Sequence, residues 1–200
     1  MPTKSCSAII LAGGRSSRMG QDKALLCANG ETMLQRTVAL AKVAGCDEIL
    51  ISRNEPGFIA DRYPAAGPLA GIQSALMQAS ADRCLVLPID IPLLSPALLR
   101  LLLQHPCSCF RGSPLPAVIP NHAAVQLWLT QQLQPATSSA KQQRQNSVFA
   151  LLQQFDGVML DCPDQPALFN SNTPAEWLVA QEKLAQKKSA AILSSGVCFI

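Results

Sequence analysis

Apolar residues gather in short uninterrupted runs, and polar, Gly- and Pro-bearing segments separate them. The run Ser7-Ala8-Ile9-Ile10-Leu11-Ala12, closed by Gly13-Gly14, predicts a parallel strand buried on both faces and followed by a functional loop. Runs of the same kind recur at Glu48-Ile49-Leu50-Ile51-Ser52, Cys84-Leu85-Val86-Leu87, Pro116-Ala117-Val118-Ile119 and Val158-Met159-Leu160. Helical stretches fall between them. They cover 32–44, opened by Thr32 with Gln35 three residues later, then 69–79, then 96–104, where Ser95 caps and Pro96 takes the first turn. Alternation of strand and helix predicts an α/β fold: a Rossmann-like, three-layer, open and mostly parallel sheet with right-handed crossovers and helices on both faces.

Beyond residue 126 the pattern thins. Gln126 to Gln154 is rich in Gln and contains Ser138-Ser139, which predicts a loop near residues 135–146. Order returns at Thr173-Pro174-Ala175-Glu176, a capping box with Pro at the first helical position, which opens a helix through about Lys187. Trp128 and Trp177 sit in helical patterns and read as core residues rather than stacking platforms.

At 200 residues the chain suits one domain with one sizeable core. With 48% hydrophobic and 14% charged residues, it has the composition of a folded globule and not of a disordered chain. A formal charge of +3 is too mild for a nucleic-acid wrap or a polybasic membrane patch, so any basic function is local. Eight cysteines are scattered without a C-x-x-C zinc spacing. The first apolar run is too short for a secretory leader, and together these features predict free, mostly buried thiols in a reducing cytoplasm. His105 and His122 lack partners at metal-ligand spacing and read as structural.

Chemistry concentrates in Leu11-Ala12-Gly13-Gly14-Arg15-Ser16-Ser17-Arg18-Met19-Gly20-Gln21-Asp22-Lys23. This is neither a Walker A loop nor a G-x-G-x-x-G fingerprint. Glycines directly after a strand still allow the backbone to approach a ligand and direct N–H groups at phosphate oxygens. Arg15, Arg18 and Lys23 add three cations, which a triphosphate would match; a solvated basic loop is the plainer alternative.

The string from Leu11 to Lys23 resembles the signature of the molybdenum cofactor guanylyltransferases, the MobA-type members of the nucleotidyltransferases with a nucleotide-diphospho-sugar transferase-like fold. The resemblance continues through Gly67-Pro68-Leu69-Ala70-Gly71, Leu87-Pro88-Ile89-Asp90-Ile91-Pro92 and Phe169-Asn170-Ser171-Asn172-Thr173-Pro174. It implies transfer of GMP from GTP to the terminal phosphate of Mo-molybdopterin, with release of pyrophosphate and a requirement for Mg²⁺.

Carried over residue by residue, the resemblance assigns Lys23, Arg18 and Asp90 to catalysis and Asp90 to the metal. Nucleotide binding falls to Leu11, Ala12, Gly13, Gly14, Lys23, Asn54, Asp61, Gly67, Pro68, Leu69 and Asp90, and the pterin side to Asn170 and Asn172. The position of Asp90 supports its role independently. It follows an apolar strand, at the carboxyl edge where open α/β sheets place ligands, and carboxylate oxygen is what Mg²⁺ takes. Asp90 could instead cap the next segment, and Asp61 and Asn54 could be turn residues.

The chain is therefore expected to be a single nucleotidyltransferase domain over 1–200. A GTP- and magnesium-binding half covers about 1–105, and a molybdopterin-side half with a C-terminal helix covers about 106–200. The resemblance further implies a cytoplasmic monomer that contacts neither nucleic acid nor membrane and meets molybdenum-insertion proteins and apo-molybdoenzymes transiently. Two other readings stay open. One is a molybdopterin cytidylyltransferase or sugar-phosphate nucleotidyltransferase, against which Gly13-Gly14 speaks because cytidylyl relatives usually carry Ala-Gly there. The other is a nucleotide-binding accessory protein without turnover.

Overall fold

Two-sided burial makes the first strand: in β1 (Ser7–Leu11), Ile9 and Ile10 are fully buried and face opposite ways into different apolar clusters. The structure, a computed structural model, describes residues 6–13, 19–134 and 147–194. After β1 come a short ribbon, β2 (Cys27–Ala28) and β3 (Glu31–Thr32), then α1 (Met33–Ala44), β4 (Glu48–Ser52), α2 (Pro68–Leu76) and β5 (Arg83–Pro88). The second half continues with α3 (Pro96–Leu102), β6 (Ser108–Phe110), β7 (Ser113–Pro120), α4 (Ala123–Leu133), α5 (Val148–Gln154), β8 (Val158–Leu160) and α6 (Pro174–Ser194).

The main sheet has the order β4-β1-β5-β7-β6-β8. β1 pairs in parallel with β4 and β5, and β6 with β8, whereas β7 is antiparallel to both β5 and β6. Mostly parallel is thus the observed character, with β7 the exception. Its prolines are accommodated by a break in the ladder: Cys109 pairs with Ala117 and Phe110 with Ser113, so Pro114 and Pro116 fall in the irregular stretch between.

Helices cover both faces. Ile9, Val86 and Ile119 pack against α2, α4 and α5, and Leu85, Leu87 and Val118 pack against α1 and α3. A third cluster joins Trp177 and Leu184 of α6 to Met19, Met33 and Leu93, so the last helix is fastened over the ribbon and the loop after β5. Among the described residues, no helix is long and apolar enough to cross a membrane.

Local signals behave as their chemistry dictates. Thr32 and Gln35 form a reciprocal capping box at α1, and Ser95 Oγ accepts the Leu98 amide at α3. Thr173 and Glu176 exchange the same kind of bonds at α6, which runs on to Ser194, past the expected Lys187. Helix 69–79 is shorter than its pattern, ending at Leu76, and α3 ends at Leu102. Among the described residues, the Gln-rich stretch holds most of α4 and all of α5; the loop expected at 135–146 lies outside the described residues. Trp128 is partly buried against the core and Trp177 is buried, while the His122 ring meets Phe155 edge-on with centroids 5.7 Å apart.

Candidate active site

The parallel strands β1, β4, β5 and β6 deliver their carboxyl ends to one edge of the sheet. From β1 the chain crosses through α1 to β4 on one flank, and then through α2 to β5 on the other. β1 and β5 are parallel neighbours, so the loops that leave them emerge side by side at this edge, the position at which open α/β sheets bind ligands.

Three segments converge at this edge. On the β1 side, Asp22 caps a single 3-10 turn over Lys23–Leu25 by accepting the Ala24 amide at 2.9 Å. Ala24 is fully buried beside Ile10, Ala12 and Ile89, which fixes where Lys23 leaves the backbone. On the β5 side, Ile89 and Ile91 are buried, and Asp90 between them is turned outward. The Asp90 carbonyl accepts the Ser171 amide at 2.8 Å and its hydroxyl at 3.3 Å. That clamp rigidifies Asp90 more directly than the flanking Pro88 and Pro92 do.

The third segment precedes α6. Glu176 accepts the amides of Asn172 and Thr173, each at 2.8 Å, and the Asn172 bond, followed by the Thr173 hydroxyl, holds its carboxyl below the usual carboxylate range. Asn172 is thereby presented to Lys23, whose Nζ donates to Asn172 Oδ1 at 2.6 Å and approaches Asp90 Oδ2 at 3.5 Å. With side chains 18% and 27% exposed, Lys23 and Asp90 are screened but reachable from solvent.

The remaining sequence-predicted residues occupy the rim. Asn54 and Asp61 exchange bonds: the Asp61 amide donates to Asn54 Oδ1 at 2.7 Å, and Asn54 Nδ2 donates to Asp61 Oδ2 at 3.1 Å. Ser52 Oγ adds a third contact to Asp61 at 3.3 Å. The Ala12 amide is spent on the Ser52 carbonyl at 2.9 Å, so only its neighbours can offer backbone donors to a ligand. Gly13 is exposed, and a Cβ there would meet nothing nearer than the Ser52 carbonyl at 3.7 Å. No demand of the described chain requires glycine at 13, which suits close approach by an outside group. Gly14, Arg15 and Arg18 lie outside the described residues.

Gly67, at φ +74°, precedes α2 without a side-chain cap, and Pro68 takes the first helical position. The Leu69 side chain is fully buried in the core, so its backbone alone is available to a nucleotide. Gly71 answers to packing, since a Cβ would collide with Ser52 Oγ and stand 3.1 Å from Leu11 Cδ2. Asn170 is parted from Asn172: it is exposed and lines a cleft of about 360 Å³ with Arg111, Ser113, Gln165 and Phe169, at the end of β6.

Two participants escape sequence reasoning. Ser171 sits inside the Asn-Ser-Asn triplet, but its partner is the distant Asp90 carbonyl. Arg53, beside Asn54, is a buried cation that pairs with Asp22 and Glu55. Neither type of pairing leaves a local pattern.

The donor set at Lys23 is oxygen only, from Asp90 and Asn172, with no thiol or imidazole hydrogen-bonded there. Among the described residues, no group of three His, Cys, Asp or Glu side chains could hold a metal on its own. A carboxylate and an amide oxygen are ligand types that a hard divalent cation takes, with waters and substrate phosphates completing its shell.

The chain is similar to known proteins over most of its length. Residues 8–193 match the family described as a MobA-like NTP transferase domain. A molybdenum cofactor guanylyltransferase of Xanthomonas euvesicatoria is 40% identical over 176 residues, 84% of this chain and 90% of that one. Its counterpart from Pseudomonas fluorescens SBW25 is 32% identical over 188 residues, again 84% and 90%. Among solved structures, molybdopterin-guanine dinucleotide biosynthesis protein A from Archaeoglobus fulgidus superposes with a TM-score of 0.69 at 19% identity, over 90% of this chain and 99% of that one. At that identity the superposition speaks to the fold.

Proposed function

The chain belongs to the MobA-like NTP transferase family, and from that premise we propose that it transfers GMP from GTP to the terminal phosphate of Mo-molybdopterin. The products are molybdopterin guanine dinucleotide and pyrophosphate. A terminal phosphate oxygen forms a bond to the α-phosphorus, and the bond from that phosphorus to the β-phosphate oxygen breaks, its electron pair leaving with pyrophosphate. The protein's task is to align two polyanions and offset their charge.

The meeting of Lys23, Asp90 and Asn172 at the sheet's switch point carries this reading. An ammonium has three donors; Asp90 and Asn172 take two, and the third is left for an oxygen of the departing pyrophosphate. Asp90, with Asn172 beside it, is assigned to hold Mg²⁺, which when bound neutralises phosphate charge as a Lewis acid. The backbone from Leu11 to Gly14, with Arg18, is assigned to the triphosphate. Asn54, Asp61 and the Gly67-Pro68-Leu69 entry to α2 are assigned to the base and ribose.

The single domain divides by labour, the 1–105 half taking GTP and the 106–200 half taking the pterin. The cleft at Arg111 and Asn170 is the pterin side, where Arg111, now paired with the exposed Asp161 at 2.8 Å, offers an anion partner. We place the reaction in the cytoplasm, in a monomer that passes its product to apo-molybdoenzymes.

The test is a nucleotide competition. Purified protein, Mo-molybdopterin and Mg²⁺ are incubated with equal GTP and CTP, each labelled at the α-phosphate in separate runs. Transfer from GTP alone is expected. Transfer from CTP alone would make the protein a cytidylyltransferase, and binding without transfer would make it an accessory protein.

A further inference from the structure

We propose that Arg53 is a positioning residue for Lys23, acting through Asp22; its effect on turnover rests on the transferase reading above. Arg53 follows β4, and its side chain is only 6% exposed. Both arms of the guanidinium reach Asp22: Nη2 pairs with Oδ2, and Nη1 donates to Oδ1 at 3.4 Å. Nη2 also donates to Glu55 Oε1 at 2.7 Å, the Phe58 ring lies 5.7 Å from the guanidinium carbon, and the Arg53 amide donates to Ile59 at 2.9 Å. The cation is therefore held from several sides before it touches Asp22.

Asp22 has a second duty. The carboxylate that receives Arg53 also caps the turn whose first residue is Lys23. One continuous set of contacts thus runs from the end of β4, through Arg53 and Asp22, to the ammonium that faces Asp90 and Asn172. Bidentate contact with the two Asp22 oxygens calls for a planar fork, which Arg supplies and Lys does not. Removing the guanidinium would leave Asp22 without its cation and free the turn to shift. Displacement of a catalytic group by about 1 Å can cost on the order of 100-fold in rate.

Four variants test this: Arg53→Met, Arg53→Lys, Asp22→Asn and the double variant Asp22→Asn/Arg53→Met. Asn retains N-cap ability at position 22 and loses only the charged partner of Arg53. Two readouts are taken on protein that keeps its native circular dichroism. One is the acetylation rate of Lys23 relative to the exposed Lys42, by mass spectrometry. The other is kcat for GTP-dependent pyrophosphate release, beside the equilibrium affinity for GTP.

Arg53→Met is expected to raise the Lys23 labelling ratio and lower kcat roughly 10- to 100-fold, with GTP affinity little changed. Arg53→Lys should recover little of either, and the double variant should be no worse than Arg53→Met, because both residues act along one path. Native labelling and kcat in Arg53→Met would overturn the proposal, as would losses that multiply in the double variant. If Arg53→Met does not fold, Arg53→Lys and Asp22→Asn decide by the same two readouts. If the native protein transfers no nucleotide, the transferase reading fails, and the labelling ratio alone decides the role of Arg53.

Discussion

Lys23 Nζ donates to Asn172 Oδ1 at 2.6 Å although 149 residues separate them. The contact joins the turn that follows the first loop to the segment before α6, and it makes the ammonium's position depend on both halves of the chain. Lys23→Ala is expected to lower kcat by about 100-fold while the KM for GTP changes much less. Lys23→Arg should not restore it, because a fork cannot replace a point donor between these two oxygens. Steady-state kinetics of pyrophosphate release check this; a change confined to KM would reduce Lys23 to a ground-state contact.

Gly71 presses α2 against the end of β4. A methyl there would enter the space of Ser52 Oγ, so Gly71→Ala should cost about 1–3 kcal/mol of stability. Thermal unfolding should show the loss as a fall in Tm of several degrees. Combining it with Ser52→Ala should return only part, since Ser52 Cβ would still lie 3.3 Å away.

Glu48 sits at the opposite end of β4 and accepts the Ser7 hydroxyl together with the Ser80 amide and hydroxyl. Those bonds, the Ser7 one foremost, hold its carboxyl below the ordinary 4.5. A depressed carboxylate contributes stability in full above the unfolded value and loses it as pH falls through the lower folded one. Compared with Glu48→Gln, the native protein should therefore show its Tm advantage at neutral pH, and the gap should close at pH values below 4.5. A gap that widened on acidification would be the wrong sign.

Burial pushes the Cys84 thiol up to about 12 and the Cys107 thiol up to about 11. Both should stay protonated and unreactive in the folded state, whereas Cys27, the exposed cysteine among the described residues, should alkylate. Peptide mapping after brief iodoacetamide treatment at pH 8 should find Cys27 modified, with Cys84 and Cys107 modified only after denaturation. Equal rates at the three would mean the strand ends open readily.

Apolar runs are the most legible part of the fold. β4 and β8 span the residues their runs mark, although both lie at edges of the sheet and are mostly only partly buried, with Val158 exposed. The two-residue strands of the ribbon are too short to carry a period, and β6 (Ser108–Phe110) lacks the aliphatic run that marks the others. α4 is marked only by the helical pattern around Trp128: Val125, Leu129 and Leu133 form one buried stripe, but the intervening Gln and Thr blur its bounds.

Lys23 and Asp90 are visible in the sequence because each lies in a motif that carries the resemblance, and Asp90 also follows a strand end. Of the two asparagines that the resemblance assigns to the pterin side, Asn172 meets Lys23 and Asn170 lies in the cleft beside Arg111. Arg53 had no local signature, since its partners come from another loop and its burial depends on the packing of 53–59.

The most direct test is single-turnover transfer of α-labelled GMP to Mo-molybdopterin by native protein and by Asp90→Asn across a Mg²⁺ titration. Asp90 is a partly exposed, weakly paired carboxylate, so its amide variant should fold normally. The expected result is magnesium-dependent dinucleotide formation by native protein, with that rate almost abolished in Asp90→Asn while GTP still binds. Transfer by Asp90→Asn at the native rate and with the native magnesium response would contradict the assignment of chemistry to the carboxyl ends of β1 and β5.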